Sequence, residues 1–333
     1  MIKFFIALSL FFVMTSHHVI GQDLHYSQYF NSPMNISPGL TGVFNGEQRI
    51  AANFRQQWRN VPVDYRNFDL SYDFKYAPTD STNYFNLGAL FNYDNAGDLG
   101  LQHVGVNLLG SFMFRISDRL GLSPGIGIGF VQRRFDQGQV ITGNQWDGRG
   151  FDPSIAAEVI GEDNLSFINI SFGLNARYQK SDRTFLDLGL SAVNLNGPST
   201  KFTALGDYDS NLARRFNIYG MGTFRLAKKL DLLLNAVYQT QSPHQEAVLN
   251  GQVKIYLDKN FSKALHLGVG MRLGDAWYPM IAIQYDNIYA SFSYDYNTSG
   301  FDVATDGAGG PELAFKYIIS RVPFYPVKPC PIY

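Results

Sequence analysis

The chain has 333 residues, of which 27 are basic and 28 acidic, so its charge is nearly balanced. That balance indicates neither a nucleic-acid-binding surface nor a polybasic membrane anchor. Aromatic residues make up 15% of the sequence, which is high for a soluble domain, and the single cysteine, Cys330, excludes an intrachain disulfide.

The first 21 residues have the features of a secretory signal peptide. Lys3 provides a positive charge, an apolar run follows over 4–14, and Val19 and Gly21 suit the positions before a cleavage site. Cleavage there would leave Gln22 as the mature N-terminus, whereas a buried N-terminal helix is the alternative interpretation. We therefore expect an exported protein. After residue 21 no stretch approaches about 18 apolar residues, so the sequence predicts no transmembrane helix.

Apolar and polar residues alternate strictly in "NFDLSYDFKY", residues 67–76. The even-numbered residues are apolar or aromatic and the odd-numbered ones are polar. Because successive side chains of a β-strand point to opposite faces, one face of this strand is apolar and the other polar. The apolar face covers either a second sheet, as in a soluble sandwich, or lipid, as in a membrane barrel.

The same period recurs to the end of the chain, for example in "FINISFGLNARY" (167–178) and "ELAFKYII" (312–319). The sequence therefore predicts an all-β protein of about fourteen antiparallel strands. Many of these are about ten residues or longer, the length that a tilted strand needs to cross a bilayer. The predicted strands lie near 48–58, 65–76, 84–95, 102–116, 119–133, 166–180, 184–195, 214–226, 230–241, 246–257, 263–274, 278–286, 288–297 and 312–320.

Short and long connections alternate along the chain. The sequence has five short polar turns, at residues 117–118, 181–182, 227–229, 258–260 and 286–287. Three longer segments are 134–165, 196–213 and 297–311. This alternation, with an even number of strands, is typical of outer-membrane barrels, in which the short turns face the periplasm. We therefore predict a transmembrane outer-membrane β-barrel with its apolar faces against lipid and its polar faces lining the lumen.

The predicted organisation has four parts. They are a signal peptide at 1–21, an N-terminal periplasmic or plug segment at 22–47, the barrel at 48–320 and a periplasmic C-terminal tail at 321–333. Glycines in the strands, such as Gly125 and Gly268, leave room for something inside, and the N-terminal segment is long enough to fold there. Cys330 lies in the tail, as either an inert thiol or one available for an intermolecular disulfide.

No motif in the chain indicates an enzyme. "GLSPG" (121–125) matches the nucleophile-elbow pattern at Ser123, but the helix that this motif requires does not follow. The histidines after the signal peptide are scattered rather than at ligand spacing, and "DVATDGAGG" (302–310) lacks the EF-hand spacing. We expect no catalytic site, no cofactor and no metal site.

Two stretches resemble a known family. The first runs from Tyr26 to Phe74 and includes "YFNSP" (29–33), "SPGLTG" (37–42) and "RQQW" (55–58); the second is the ending "PVKPCPIY". In these stretches the chain resembles the PorP/SprF family of outer-membrane proteins, which is associated with type IX secretion and gliding motility in Bacteroidota.

The resemblance implies a fourteen-stranded barrel that works with a type IX secretion substrate. Some members of the family support the export of large adhesin-like surface proteins and their cell-surface anchoring, through the substrate's C-terminal domain. Others are linked to periplasmic ring components of the machinery. The implied partners are a secreted surface protein, ring components and outer-membrane lipid, with no nucleic acid. Whether this chain is part of the machinery core or a dedicated anchor stays open.

A set of residues near the N-terminus is expected to join the plug to the lumen. Arg55 and Gln57 would pair with Asp69 or Asp73 on the neighbouring strand, and Trp58 would stand in an interfacial aromatic girdle. A purely structural role in holding the plug or the strand register is the alternative to a functional one. The predicted plug and lumen contacts are Asn31, Pro33, Arg55, Gln56, Gln57, Trp58, Asp69 and Asp73.

Aromatic residues on the long loops are the predicted partner-binding residues, because such side chains often dominate the binding energy of an interface. They are Trp146, Phe151, Phe202, Tyr208 and Phe301. The leading hypothesis is thus a non-enzymatic barrel that binds a secreted surface protein and supports its export and anchoring. The alternatives are a plugged barrel that carries a hydrophobic solute, which the charged lumen disfavours, and a diffusion porin, which would conduct ions in planar bilayers.

Overall fold

Fourteen antiparallel strands make up most of the chain in the computed structural model. The structure describes residues 26–57, 65–76, 83–97, 100–136, 138, 141–146, 148–158, 163–201, 211–299 and 306–320. The strands are β1 Gln48–Gln57, β2 Tyr65–Tyr76, β3 Tyr84–Ala96, β4 Leu101–Arg115, β5 Leu120–Arg134, β6 Asn164–Ser181, β7 Thr184–Val193, β8 Arg215–Ala227, β9 Leu230–Gln241, β10 His244–Tyr256, β11 Lys263–Arg272, β12 Ala276–Tyr285, β13 Ile288–Asn297 and β14 Ala308–Ile319.

The strands form one closed barrel in which each strand pairs with its neighbours in sequence. The ring closes where β1 pairs with β14, with Gln48 opposite Ile319 and Arg55 opposite Glu312. Closure gives a partner to every strand edge, which a sheet in lipid requires because no water is present to satisfy its backbone groups. The predicted fourteen-stranded antiparallel barrel is confirmed.

The two faces of the wall differ as the alternation predicts. On β2, Leu70 and Tyr72 lie on the outside with 45% and 40% of their surface exposed, whereas Asp69 and Asp73 are fully buried on the inside. Large exposed apolar side chains continue around the outer surface on the other strands. The outer wall is therefore an apolar band suited to lipid, and the inner wall is largely polar.

The three longest connections share one end of the barrel, where the shorter connections 97–100, 242–243 and 273–275 also lie. Residues 116–119, 182–183, 228–229 and 286–287 connect strands at the end where β1 begins and β14 finishes. The three long connections, 135–163, 194–214 and 298–307, are all at the opposite end. We call these the short-turn end and the long-loop end.

Strand β14 begins at Ala308, four residues before the predicted start. Gly309, Gly310 and Pro311 indicate a turn in the sequence, but in the structure they continue the strand. Gly310 has a φ of 143°, and a side chain there would meet the backbone carbonyl of Gln56 on β1. Glycine is needed at this position for the close approach of two strands at the barrel closure, so the long segment predicted at 297–311 is shorter than expected.

Short helical turns precede β1 and lie between β5 and β6. They include Tyr29–Asn31, Pro33–Ile36 and Pro38–Leu40 before β1, and Gly143–Gln145 between β5 and β6. None of the helices in the described ranges has the length and apolar character needed to cross a membrane.

Replacing Leu108 with Arg is expected to destabilise the folded barrel by about 2–4 kcal/mol. Leu108 lies at the middle of β4 on the outer face, with 67% of its surface exposed, so a charge there would stand in the centre of the bilayer. The matched control is Ile116→Arg, which follows the same strand at the short-turn end and should cost only about 0–1 kcal/mol. Unfolding free energies from denaturant titrations in lipid vesicles measure both, and equal costs would contradict a lipid-facing band.

Candidate functional site

Residues 26–47, which we call the N-terminal segment, pack inside the barrel. The polar groups of this segment bond to inward-facing side chains of β3, β7, β8, β13 and β14. Because those strands lie on different sides of the ring, the segment occupies the lumen. Pro33 and Pro38 stand in the first turns of two of its short helices, where a missing amide hydrogen is tolerated.

The N-terminal segment forms a small apolar core with the lumen wall. Tyr29, Ile36, Leu40 and Val43 from the segment are buried against wall residues. Those wall residues are Met113, Tyr219, Val237, Val248 and Tyr278. Burial raises the pKa of the Tyr26 phenol well above its usual value, and the negative charge of Asp69 raises it further. The lumen at this level is a packed protein interior.

Glycines in the wall let the backbone of the segment approach the sheet. A Cβ atom on Gly125 of β5 would meet the carbonyl oxygen of Pro38 and would lie 2.7 Å from the amide nitrogen of Gly39. A Cβ on Gly173 of β6 would lie 2.9 Å from the same Gly39 amide. The room that the strand glycines leave inside the barrel is therefore filled here by the segment.

Four buried charged residues, which we call the lumen charge cluster, lie toward the long-loop end. They are Arg55, Arg272, Asp295 and Glu312. The Asp295 Oδ2 atom accepts hydrogen bonds at 2.8 Å from both guanidinium groups, and Arg55 Nε lies 3.7 Å from Glu312 Oε2. Each charge has an opposite charge within the cluster, which is the condition under which buried charges are tolerated.

The lumen charge cluster binds the start of the N-terminal segment. The two carboxylate oxygens of Glu312 accept hydrogen bonds from the backbone amides of Ser27 and Gln28, at 2.9 and 2.8 Å. The Ser27 hydroxyl donates to Asp295 at 2.7 Å, and Tyr278 donates to the Ser27 carbonyl at 2.7 Å. Two adjacent backbone amides on one carboxylate fix both the position and the direction of the chain.

A second group of contacts holds the segment near the short-turn end. Arg49 and Asp73, opposite each other on β1 and β2, form an ion pair at 2.6 Å. Asp73 also accepts from the Gly42 amide at 2.7 Å, and the Arg49 guanidinium lies 4.5 Å from the centroid of the Phe44 ring. The Lys75 ammonium donates to the Phe44 carbonyl. The segment is therefore fixed to the wall at both ends.

The connection between β5 and β6 carries an ordered structure that we call the aromatic hairpin, residues 141–146 and 148–158. Trp146 and Phe151 pair as an antiparallel bridge with ring centroids 6.4 Å apart, and they are 61% and 42% exposed. The hydroxyl of Ser154 and, to a smaller extent, the backbone N–H of Ser154 donate hydrogen bonds to Asp152. These hydrogen bonds hold the pKa of the Asp152 carboxyl below its usual range. Two aromatic rings are thus presented to solvent on a folded loop at the long-loop end.

Most of the predicted lumen residues that the structure describes lie inside the barrel. Asn31 is buried and donates to Ser291 Oγ at 3.2 Å, and Pro33 is buried in the segment. Gln57 is buried on the inner face of β1, whereas Gln56, its neighbour, alternates onto the outer face. Asp69 accepts a hydrogen bond from the Asn53 side chain at 3.1 Å, and Asp73 binds Arg49 and the Gly42 amide. Trp58, Phe202, Tyr208, Phe301 and Cys330 lie outside the described residues.

The partner that the sequence suggested for Arg55 is wrong. Arg55 was expected to pair with Asp69 or Asp73 of β2, but its ion-pair partners are Asp295 of β13 and Glu312 of β14. A strand in a closed barrel has two neighbours. The side chain of Arg55 points toward the β14 side, and β14 pairs with β1 only when the ring closes.

Sequence reasoning missed Glu312 and Asp295, the acidic half of the lumen charge cluster. A signal for both was present, because each is an acidic residue on the polar side of an alternating strand, in "ELAFKYII" and "SFSYDY". Only the structure brings them together with Arg55. Among the residues that the structure describes, no group of three or more His, Cys, Asp or Glu side chains is placed to hold a metal ion.

Glu312→Gln is expected to lower the unfolding free energy by about 2–3 kcal/mol, because charge-assisted hydrogen bonds to two buried amides would be weakened. The matched control is Asp118→Asn, a carboxylate-to-amide change in a fully exposed side chain 3.8 Å from Arg115, for which no measurable loss of stability is expected because exposed ion pairs contribute little. Denaturant titration of the refolded barrel measures both. Equal stability of Glu312→Gln and the wild type would contradict the role given to this carboxylate.

Gly125→Ala is expected to displace the N-terminal segment and to cost about 1–3 kcal/mol, because the new methyl group would collide with the backbone at Pro38 and Gly39. Gly105→Ala on β4 is the control, since a Cβ atom there has its nearest neighbour at 3.4 Å and does not contact the segment. Limited proteolysis of folded protein should cleave the segment faster in Gly125→Ala alone. Identical cleavage of the two variants would show that the segment does not depend on this approach.

The chain is similar to known proteins in both sequence and fold. The family described as type IX secretion system membrane protein PorP/SprF matches residues 19–312. No curated protein matches the chain. Solved structures similar in fold include a mutant of TodX, a monoaromatic hydrocarbon channel, with 7% identity, a TM-score of 0.53 and coverage of 86% of this chain and 94% of that chain.

Two further structures are similar at lower TM-scores. The toluene transporter TbuX of Ralstonia pickettii has 8% identity and a TM-score of 0.49, covering 87% of this chain and 94% of that chain. The KdgM porin in complex with oligogalacturonate has 9% identity and a TM-score of 0.40, covering 81% and 98%. Identities this low describe the barrel fold alone, whereas the sequence match extends over most of the chain. The chain therefore belongs to the PorP/SprF family of type IX secretion system membrane proteins.

Proposed function

We propose that this barrel binds a secreted surface protein, through that protein's C-terminal domain, and supports its export and its anchoring on the cell surface. The short-turn end would face the periplasm and the long-loop end the outside, as in other outer-membrane barrels. Membership in a type IX secretion family supports the class of partner. The aromatic hairpin at the long-loop end is the observation that carries the choice of contact surface.

The aromatic hairpin suits a protein contact because its exposed rings are already ordered. The Thr142 amide donates to Gln145 Oε1 at 3.0 Å, and the Gln145 side-chain amide donates to the Ile155 carbonyl at 2.9 Å. A loop that is folded before binding loses less conformational entropy in the complex. Large aromatic side chains on such a loop are typical of the residues that dominate binding energy.

The filled lumen supports a binding role more than a transport role. Between the lumen charge cluster and the Arg49–Asp73 pair, the N-terminal segment occupies the interior and is bonded to the wall at both ends. In this proposal the segment is a plug that stiffens the barrel and closes the path through it. The partner then meets a rigid rim of loops.

The double variant Trp146→Ala, Phe151→Ala is expected to reduce retention of the partner by about tenfold or more, because aromatic hot spots commonly contribute 2 kcal/mol or more each. The measurement is an affinity pull-down of the tagged barrel from solubilised outer membranes, with bound proteins quantified by mass spectrometry. Recovery of one large secreted protein through its C-terminal domain, lost in the variant, is the expected result.

The control is Glu158→Ala, which changes an exposed side chain at the end of the same hairpin without removing a ring. Heat-modifiable migration in gels verifies that all variants are folded barrels. Unchanged retention in the double variant would rule out the aromatic hairpin as the contact. Recovery of periplasmic ring components alone would instead assign the barrel to the machinery.

A further inference from the structure

A cavity of about 600 Å³ lies in the lumen beside the N-terminal segment. Asp182, Asp286 and Ser320, at the short-turn end, stand at its mouth, so it opens toward that end of the barrel. One wall is apolar and comes partly from the segment itself, through Leu40 and Val43. The opposite wall is formed by β10 to β14 and is basic.

Three nitrogen-bearing side chains meet on the basic wall: Lys254, His266 and Lys316. Lys254 and His266 stand opposite each other on β10 and β11. The His266 ring centroid lies 5.3 Å from that of Tyr289, and the Lys316 ammonium lies 4.3 Å from the same Tyr289 ring. Lys316 and His266 therefore both contact Tyr289 on β13. Lys254 lies beside His266 because β10 pairs with β11.

These three side chains have unused capacity for hydrogen bonding. His266 is only 3% exposed, and within the described part of the protein neither ring nitrogen makes a hydrogen bond of good geometry, the neutral Gln284 side chain being its polar neighbour. Within the same ranges Lys316 contacts the Tyr289 ring but makes no ion pair, and Lys254 donates to the neutral Gln284 side chain at 2.6 Å. Buried polar groups are normally satisfied, and cations in a protein interior normally have a counter-charge.

The acidic residues of the cavity already have other partners or lie away from this wall. Asp231, opposite Lys254 on β9, is bound by Arg183 at 2.6 Å and by the Tyr256 hydroxyl at 2.9 Å. Asp187 pairs with Arg177 at 3.3 Å. Asp182 and Asp286 are exposed in the turns at the mouth. The basic wall thus has no carboxylate of the cavity assigned to it.

We propose that this cavity binds an organic anion, whose carboxylate or phosphate group is held by Lys254, His266 and Lys316 and whose apolar part packs against the N-terminal segment. Two ammonium groups and one imidazole N–H supply charge-assisted hydrogen bonds to such a group. Because the segment forms the other wall, a bound anion stabilises the segment in the lumen. The site is at the opposite end of the barrel from the aromatic hairpin and does not depend on that proposal.

The test uses purified full-length barrel in detergent micelles, with benzoate as the probe and benzamide as its neutral analogue. Saturation-transfer NMR is expected to detect benzoate but not benzamide. Lys316→Met, which keeps the length of the side chain and removes its charge, should weaken benzoate binding by about tenfold, the effect of one charge-assisted hydrogen bond. Lys254→Met should weaken benzoate binding in the same way. Because Lys254 lies on a different strand, it still tests the proposal if Lys316→Met fails to fold.

The matched control is Lys263→Met. Lys263 also lies over a tyrosine ring, 4.9 Å from the centroid of Tyr285, but it is exposed on the outer face and does not line the cavity. Inorganic phosphate that displaces benzoate would assign the site to oxyanions in general, and phosphate without effect would restrict it to carboxylates; both support the proposal. Equal signals for benzoate and benzamide, or equal affinity in Lys316→Met and Lys263→Met, would overturn it.

Discussion

The closure of the barrel is the constraint on which the rest of this structure depends. A sheet in lipid must leave no edge, so β1 has to pair with β14 as well as with β2. That pairing places Arg55 opposite Glu312, and with Asp295 and Arg272 it assembles the lumen charge cluster. The same closure brings β14 so near to β1 that glycine is required at position 310. The charges that bind the start of the N-terminal segment are therefore a product of ring closure.

The lumen is organised as a layered interior around the N-terminal segment. Hydrogen bonds from backbone amides to buried wall carboxylates hold both ends of the segment, an apolar core lies between them, and wall glycines allow the segment to approach the sheet closely. The segment is bonded to strands on different sides of the ring and so connects them across the lumen. The long loops lie at one end of the barrel, while the basic cavity opens at the other.

Most of the fold was predictable from a two-residue period, whereas the site was predictable only in part. The alternation in β2 identifies which side chains face outward, and the order of short and long connections identifies the two ends. Trp146 and Phe151 could be singled out because aromatic residues are unusual on a polar loop, but their pairing in a hairpin depends on local folding. Arg55 could be identified as a lumen residue but not matched to its partner, because Asp295 lies 240 residues away on β13 and is invisible to local pattern.

The sequence by itself determined the strand count, the inward and outward faces and the family, since all three reside in short-range pattern and motif. The tertiary structure alone decided which buried charges meet, where the N-terminal segment lies and which nitrogen-bearing side chains share one wall of the lumen. The physical reason is that register and closure act between strands far apart in the chain. Side chains such as Lys316 and His266 acquire a common environment only once the ring is complete.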